Sequence, residues 1–125
     1  MTPAPYSVQR SHSLGVARKM MQDKHIRHMP VLESGKVIGL LTEARLLEAF
    51  VSGHDEHAQL GQVELEIPYL VPGTTPFLEV VQAMAKDRRE AALVVENGRV
   101  AGVFTAVDAV RVLAELLATR PVERD

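Results

Sequence analysis

The sequence predicts an α+β fold made of two β-α-β-β-α repeats related by pseudo-twofold symmetry. Three observations carry that expectation: one long motif recurs at a fixed spacing, each copy holds a two-residue turn ending in glycine, and apolar residues at helical spacing flank each turn. The motif Val31-Leu32-Glu33-Ser34-Gly35-Lys36-Val37-Ile38-Gly39-Leu40-Leu41-Thr42 lines up with Val94-Val95-Glu96-Asn97-Gly98-Arg99-Val100-Ala101-Gly102-Val103-Phe104-Thr105, 63 residues on. The same spacing pairs Pro5 with Pro68, Tyr6 with Tyr69, Val8 with Val71 and Met21 with Met84. A match kept in register without gaps over most of both halves marks a duplication. The chain accordingly divides into 1–62, a first repeat with its linker, and 63–125, a second repeat.

Each repeat opens on a short extended segment, at Val8 and at Val71. Ser11 to Ser13 and Thr75-Pro76 read as helix starts, Pro76 being suited to a first helical position where no N–H bond is lost. The helices that follow run to about Lys24 and Asp87. They place Leu14, Ala17, Met20 and Met21, then Phe77, Val80, Val81 and Met84, on one face each. Two β-rich runs come next in each half, Met29 to Glu33 with Val37 to Leu41 and Ala92 to Glu96 with Val100 to Phe104. Ser34-Gly35 and Asn97-Gly98 join them, and Asn-Gly favours the tight turn of a hairpin. Glu43 to Val51 and Ala106 to Thr119 read as closing helices. The polar stretch Ser52-Gly53-His54-Asp55-Glu56-His57 reads as a surface connection. Units of about sixty residues are marginal alone, so the halves are expected to pack face to face.

Composition narrows the function. With 46% hydrophobic and 24% charged residues, the 125-residue chain is globular, and its net charge of −2 supplies no positive field for nucleic acid or anionic lipid. Neither nucleic acid nor membrane is an expected partner. Cysteine is absent, which excludes disulfides and thiolate chemistry, and no apolar run is long enough to span a bilayer. Met1-Thr2-Pro3-Ala4-Pro5 lacks the basic and apolar parts of a signal peptide, so the expected location is cytoplasmic.

The order of elements, the Pro-Val-Leu-Glu stretch at Pro30 to Glu33, and the stretches Gly39-Leu40-Leu41-Thr42 and Gly102-Val103-Phe104-Thr105-Ala106-Val107-Asp108 resemble the CBS (cystathionine-beta-synthase) domain family, whose units occur in pairs. The resemblance covers about Pro5 to Phe50 and Pro68 to Leu113. It implies a regulatory, non-catalytic module that binds an adenosine-containing ligand, an adenosine nucleotide or an S-adenosyl compound, between the repeats, with no cofactor required. The family pattern of glycine, two apolar residues, threonine or serine, two further residues and aspartate is complete only in the second repeat. Asp108 would then accept from the cis-diol of a ribose, as acidic residues do in dinucleotide sites, with Thr105 facing sugar and phosphate. Arg27 and His28, just ahead of Pro30, would supply the phosphate donors. Thr105-x-x-Asp108 at a helix start also reads as a capping box, and the two readings are compatible.

The first-repeat counterpart of Asp108 is Arg45, and the second-repeat counterpart of Arg27 is Glu90. A guanidinium cannot accept a diol, and Glu90 would repel phosphate. Thr42, Arg45 and Glu90 therefore mark a degenerate second site, with an Arg45–Glu90 ion pair across it as one expectation and two separately solvated charges as the other. His54-Asp55-Glu56-His57 carries metal-ligating types but no defined third ligand or supporting shell, so no metal site is expected. No nucleophile and base combination points to catalysis. Leu46, Leu47, Phe50 and Val51, then Val107, Val110, Leu113, Leu116 and Leu117, offer more apolar surface than a two-unit core needs, which suits the family habit of pairing into a homodimer. The alternative function is a structural or protein-interaction module with degenerate clefts, docking on an effector protein.

Overall fold

A computed structural model describes residues 2–3 and 6–119; Met1, Ala4, Pro5 and 120–125 lie outside the described residues. In chain order the elements are β1 (Thr2–Pro3), β2 (Val8–Gln9), α1 (Leu14–Lys24), β3 (His28–Glu33), β4 (Lys36–Thr42), α2 (Glu43–Val51), a 3-10 turn (Leu60–Gln62), β5 (Leu70–Pro72), α3 (Phe77–Asp87), β6 (Ala91–Glu96), β7 (Arg99–Thr105) and α4 (Ala106–Thr119). The two repeats of the duplication are thus two copies of one α+β unit.

Local chemistry sets the boundaries. Ser13 caps α1, its Oγ accepting from the Val16 N–H at 3.2 Å. Pro76 stands one position earlier than the sequence suggests: its ψ of 138° is extended, and it is the N-cap whose carbonyl accepts from Val80 N–H at 3.2 Å. Both hairpins turn through left-handed backbone, Ser34 and Gly35 at φ 52° and 79°, Asn97 and Gly98 at φ 52° and 75°. Positive φ at both central residues is what a type I′ turn demands.

The strands form two sheets, β2-β3-β4 and β1-β7-β6-β5. Their edges are shared between the repeats. The leading strand β1 leaves the first repeat and pairs antiparallel with β7, Thr2 opposite Val103 and Pro3 opposite Gly102. The segment leading into the second repeat returns the exchange, Glu66 and Leu40 donating N–H to each other's carbonyls at 2.9 Å on the free edge of β4. That crossing runs close over Gly39, where a methyl group would lie 2.7 Å from Leu65 Cβ and Cδ1. A strand glycine here permits close backbone approach.

Alternation along the strands then divides the core. Met29, Val31 and Leu41 face Leu14, Ala17 and Met21 of α1 and Leu46 and Ala49 of α2. Ala92 and Phe104 face Val80 and Met84 of α3. Their neighbours Leu40, Ala91, Leu93 and Val103 point the opposite way and form a third cluster between the sheets. Leu60, fully buried, carries the linker into the first core. Leu93→Ala, which empties the centre of the inter-sheet cluster, is expected to destabilise the fold by about 2–5 kcal/mol, read as a lowered midpoint in urea unfolding.

Candidate functional site

The two repeats leave a cavity of about 390 Å³ on one side of the inter-sheet cluster. One wall comes from the first repeat: Tyr6 ahead of β2, and His25, Ile26, Arg27 and His28 between α1 and β3. The other comes from the second repeat, with Val103 and Thr105 on β7 and Val107, Asp108 and Arg111 on the first turns of α4. Arg27, His28, Thr105 and Asp108 are therefore brought to one cleft although far apart in sequence. Its volume is in the range of small-molecule pockets.

Thr105 and Asp108 form the capping box. Asp108 N–H donates to Thr105 Oγ1 at 3.2 Å, and Thr105 N–H donates to Asp108 Oδ2 at 2.9 Å. The box does not consume the carboxylate. Asp108 is only 8% exposed, and its second oxygen, Oδ1, has the Arg111 guanidinium at 3.8 Å. That oxygen keeps lone pairs for a donor arriving from the cleft. Arg111 lies one turn beyond Asp108 on the same helix face, a spacing visible in the sequence.

Tyr6, Ile26, Val103 and Val107 complete the lining, and sequence reasoning did not single them out as site residues. Tyr6 carried one signal, its match to Tyr69 in the repeat register. The apolar three carry none, because isolated apolar residues fit a core as well as a cleft. Lys24, adjacent to His25, holds its Nζ 5.2 Å from the centre of the Tyr6 ring.

His25 has a conformation that needs explaining. It ends α1 in the left-handed region at φ 54°, and its counterpart Arg88 ends α3 at the same φ. Glycine is the usual residue there because Cβ is penalised. Both non-glycine caps face clefts, His25 the first and Arg88 the second.

The second cleft, about 630 Å³, is lined by Thr42, Glu66, Arg88, Arg89 and Glu90 among others, and it shares Arg27, His28, Thr105 and Val107 with the first. The expected Arg45–Glu90 ion pair is not formed. Arg45 turns out of the cleft to Glu48, Glu64 and Glu66 at 3.3, 3.6 and 3.7 Å. The returning linker brings Glu64 and Glu66 onto that flank, and three carboxylates outcompete one. Arg45 therefore does not fill its half of the cleft. Glu90 instead meets His28 across the repeats, with Glu90 Oε2 3.5 Å from His28 Nε2. Thr42 Oγ1 accepts from Arg45 N–H at 3.1 Å but has no carboxylate to answer it, so this end has half of a capping box. Arg89, at the register position of Ile26, donates to the Ile67 carbonyl at 2.7 Å and stacks 5.8 Å from the Tyr69 ring.

A family model described as CBS domain matches residues 1–52 and 63–115. No curated protein matches the chain by sequence. Among solved structures, AcuB from Vibrio cholerae is 25% identical with a TM-score of 0.80, over 97% of this chain and 94% of that one. The CBS domain pair of protein MJ0100, in complex with 5′-methylthioadenosine and S-adenosyl-L-methionine, is 21% identical with a TM-score of 0.78, over 90% and 93%. CBSX2 in complex with AMP is 20% identical with a TM-score of 0.74, over 94% of each chain. At such identities the last two show likeness of fold.

His25→Gly is expected to raise stability by about 1 kcal/mol in equilibrium denaturation, since glycine relieves the left-handed backbone. Thr105→Ala is expected to cost about 1 kcal/mol in the same measurement, through the lost cap.

Proposed function

The chain belongs to the CBS domain family, and from that membership we propose that it works as a non-catalytic regulatory module taking an adenosine-containing ligand in the first cleft. The single observation that carries the reading is the convergence of Asp108, whose Oδ1 stands outside the capping box and only 3.8 Å from Arg111, and Arg27 and His28 on opposite walls of one cavity. Asp108 accepts from the ribose diol. Thr105 lies beside the sugar, Ile26, Val103 and Val107 give the base an apolar slot, and Arg27 and His28 meet whatever the 5′ position carries. The second cleft offers no acceptor at the position of Asp108. It is the silent one.

A ligand held by both walls favours the packing of the repeats that brings those walls to the right separation, and it biases a reader of that packing only by this differential affinity. The reader proposed is a homodimer joined through α4, and through it an effector protein. Val107, Val110, Leu113, Leu116 and Leu117 are all more than half exposed. The contribution of α2 is smaller than the sequence suggests, since Leu46 is buried and Phe50 is half-buried, leaving Leu47 and Val51 outside. The stripe on α4 is also what favours the interaction-module reading, in which it docks another protein and no ligand enters.

Calorimetric titration with AMP, ADP, ATP and S-adenosylmethionine separates the readings: at least one is expected to bind, and no heat for any at millimolar concentration overturns the sensing role. Asp108→Asn keeps an acceptor for the Thr105 N–H while removing the charge. It is expected to weaken binding about tenfold or more, the scale of a lost hydrogen bond to a charged group. In sedimentation velocity the wild type is expected to run as a dimer and a Leu113→Glu, Leu116→Glu variant as a monomer; unchanged sedimentation removes α4 from the interface.

A further inference from the structure

The charges around the first cleft are lopsided. Arg27 and Arg111 line it against the one carboxylate of Asp108, so the site is positive even with His25 and His28 neutral. A sulfonium brings a further positive charge into that surround, whereas a 5′-phosphate brings about two negative ones. Specificity follows from the repulsion as much as from the attraction. The Arg27 guanidinium, moreover, enters no ion pair within 4.0 Å among the described residues, which leaves its donors available.

A second observation bears on the same group. His28 lines both clefts, its side chain is 15% exposed, and the nearest anion to its ring is Glu90 of the other repeat, itself 78% exposed. Glu90 lines the second cleft and not the first, so it meets His28 from the second-cleft end of the wall that the two clefts share. An exposed carboxylate is held there weakly and detaches at little cost.

We propose that the ligand is a 5′-phosphorylated adenosine rather than an S-adenosyl sulfonium, and that its phosphate competes with Glu90 for His28, so that filling the first cleft frees a carboxylate in the second. This rests on the reading of the first cleft as an adenosine site and goes beyond it in naming the ligand's charge and its internal competitor. Arg27 selects the phosphate, and Glu90 stands in for it when the cleft is empty. Occupancy of one cleft is then written into the electrostatics of the other through a single shared histidine.

The test titrates AMP, adenosine and S-adenosylmethionine against the wild type, Arg27→Gln, Glu90→Gln and Glu66→Gln, the last removing an acid that lines the second cleft without touching His28. AMP is expected to bind at least about tenfold more tightly than adenosine or S-adenosylmethionine, as charge-assisted bonds to phosphate require. Arg27→Gln is expected to bring AMP toward adenosine's affinity. Glu90→Gln is expected to tighten AMP about two- to fivefold, the scale of one exposed ion pair, while leaving adenosine unchanged, and Glu66→Gln to move neither. Equal affinities for AMP and S-adenosylmethionine overturn the proposal, as does a Glu90→Gln gain that is absent or matched by Glu66→Gln. Adenosine and S-adenosylmethionine binding in preference to AMP would overturn the phosphate while keeping the adenosine site, whereas no binding of any of the three would remove that site itself.

Discussion

The contact between the two sheets is the constraint on which the rest depends. Leu40, Ala91, Leu93 and Val103 point away from the helices of their own repeats, so each sheet has two apolar faces and only one helical layer to cover them. A unit of this size standing alone would leave that second face in water. Packing sheet on sheet buries it. Each repeat also gives its leading segment to the other's edge, β1 to β7 and Glu66 to Leu40, so unpaired backbone groups of two sheet edges are satisfied in the same act.

From that packing the clefts follow geometrically. The strand ends of each repeat that precede its closing helix lie beside the α1–β3 or α3–β6 connection of the other. One cleft therefore takes Asp108 with Arg27, and the other takes Glu90 with Thr42. The duplication makes two sites, and divergence at a few positions makes them unequal. His28 belongs to both, and it is where the two inequalities meet. Asp108 lines the first cleft while one of its oxygens closes the cap of α4 and the other lies beside Arg111.

Much of the fold was legible because the repeat supplied every element twice. The limits of α1, α2, α3 and α4 lie within a residue of where periodicity and capping residues put them, and both hairpins turn where Ser34-Gly35 and Asn97-Gly98 say they must. The strand exchange was not legible. Thr2, Pro3 and Glu66 have no pattern that names a partner, since backbone pairing at an edge is indifferent to side chain. The course of Arg45 was missed for a related reason: register identified its counterpart in the other repeat, but the register positions of Glu64 and Glu66 are the uncharged Met1 and Pro3, so the repeat gives no sign of the acids that meet it.

By itself the sequence determined the duplication, the elements of each repeat, and which half kept the Thr105–Asp108 pair, because these depend on residue type at short spacing. Only the tertiary structure decided which charges meet. Capping and hairpin turns are local and follow from a few adjacent dihedrals, whereas ion pairs such as His28 with Glu90, and the loss of Arg45 with Glu90, depend on how two sheets settle against each other and where a linker crosses. A small displacement there exchanges one carboxylate for another at little cost in energy, and no local pattern encodes it.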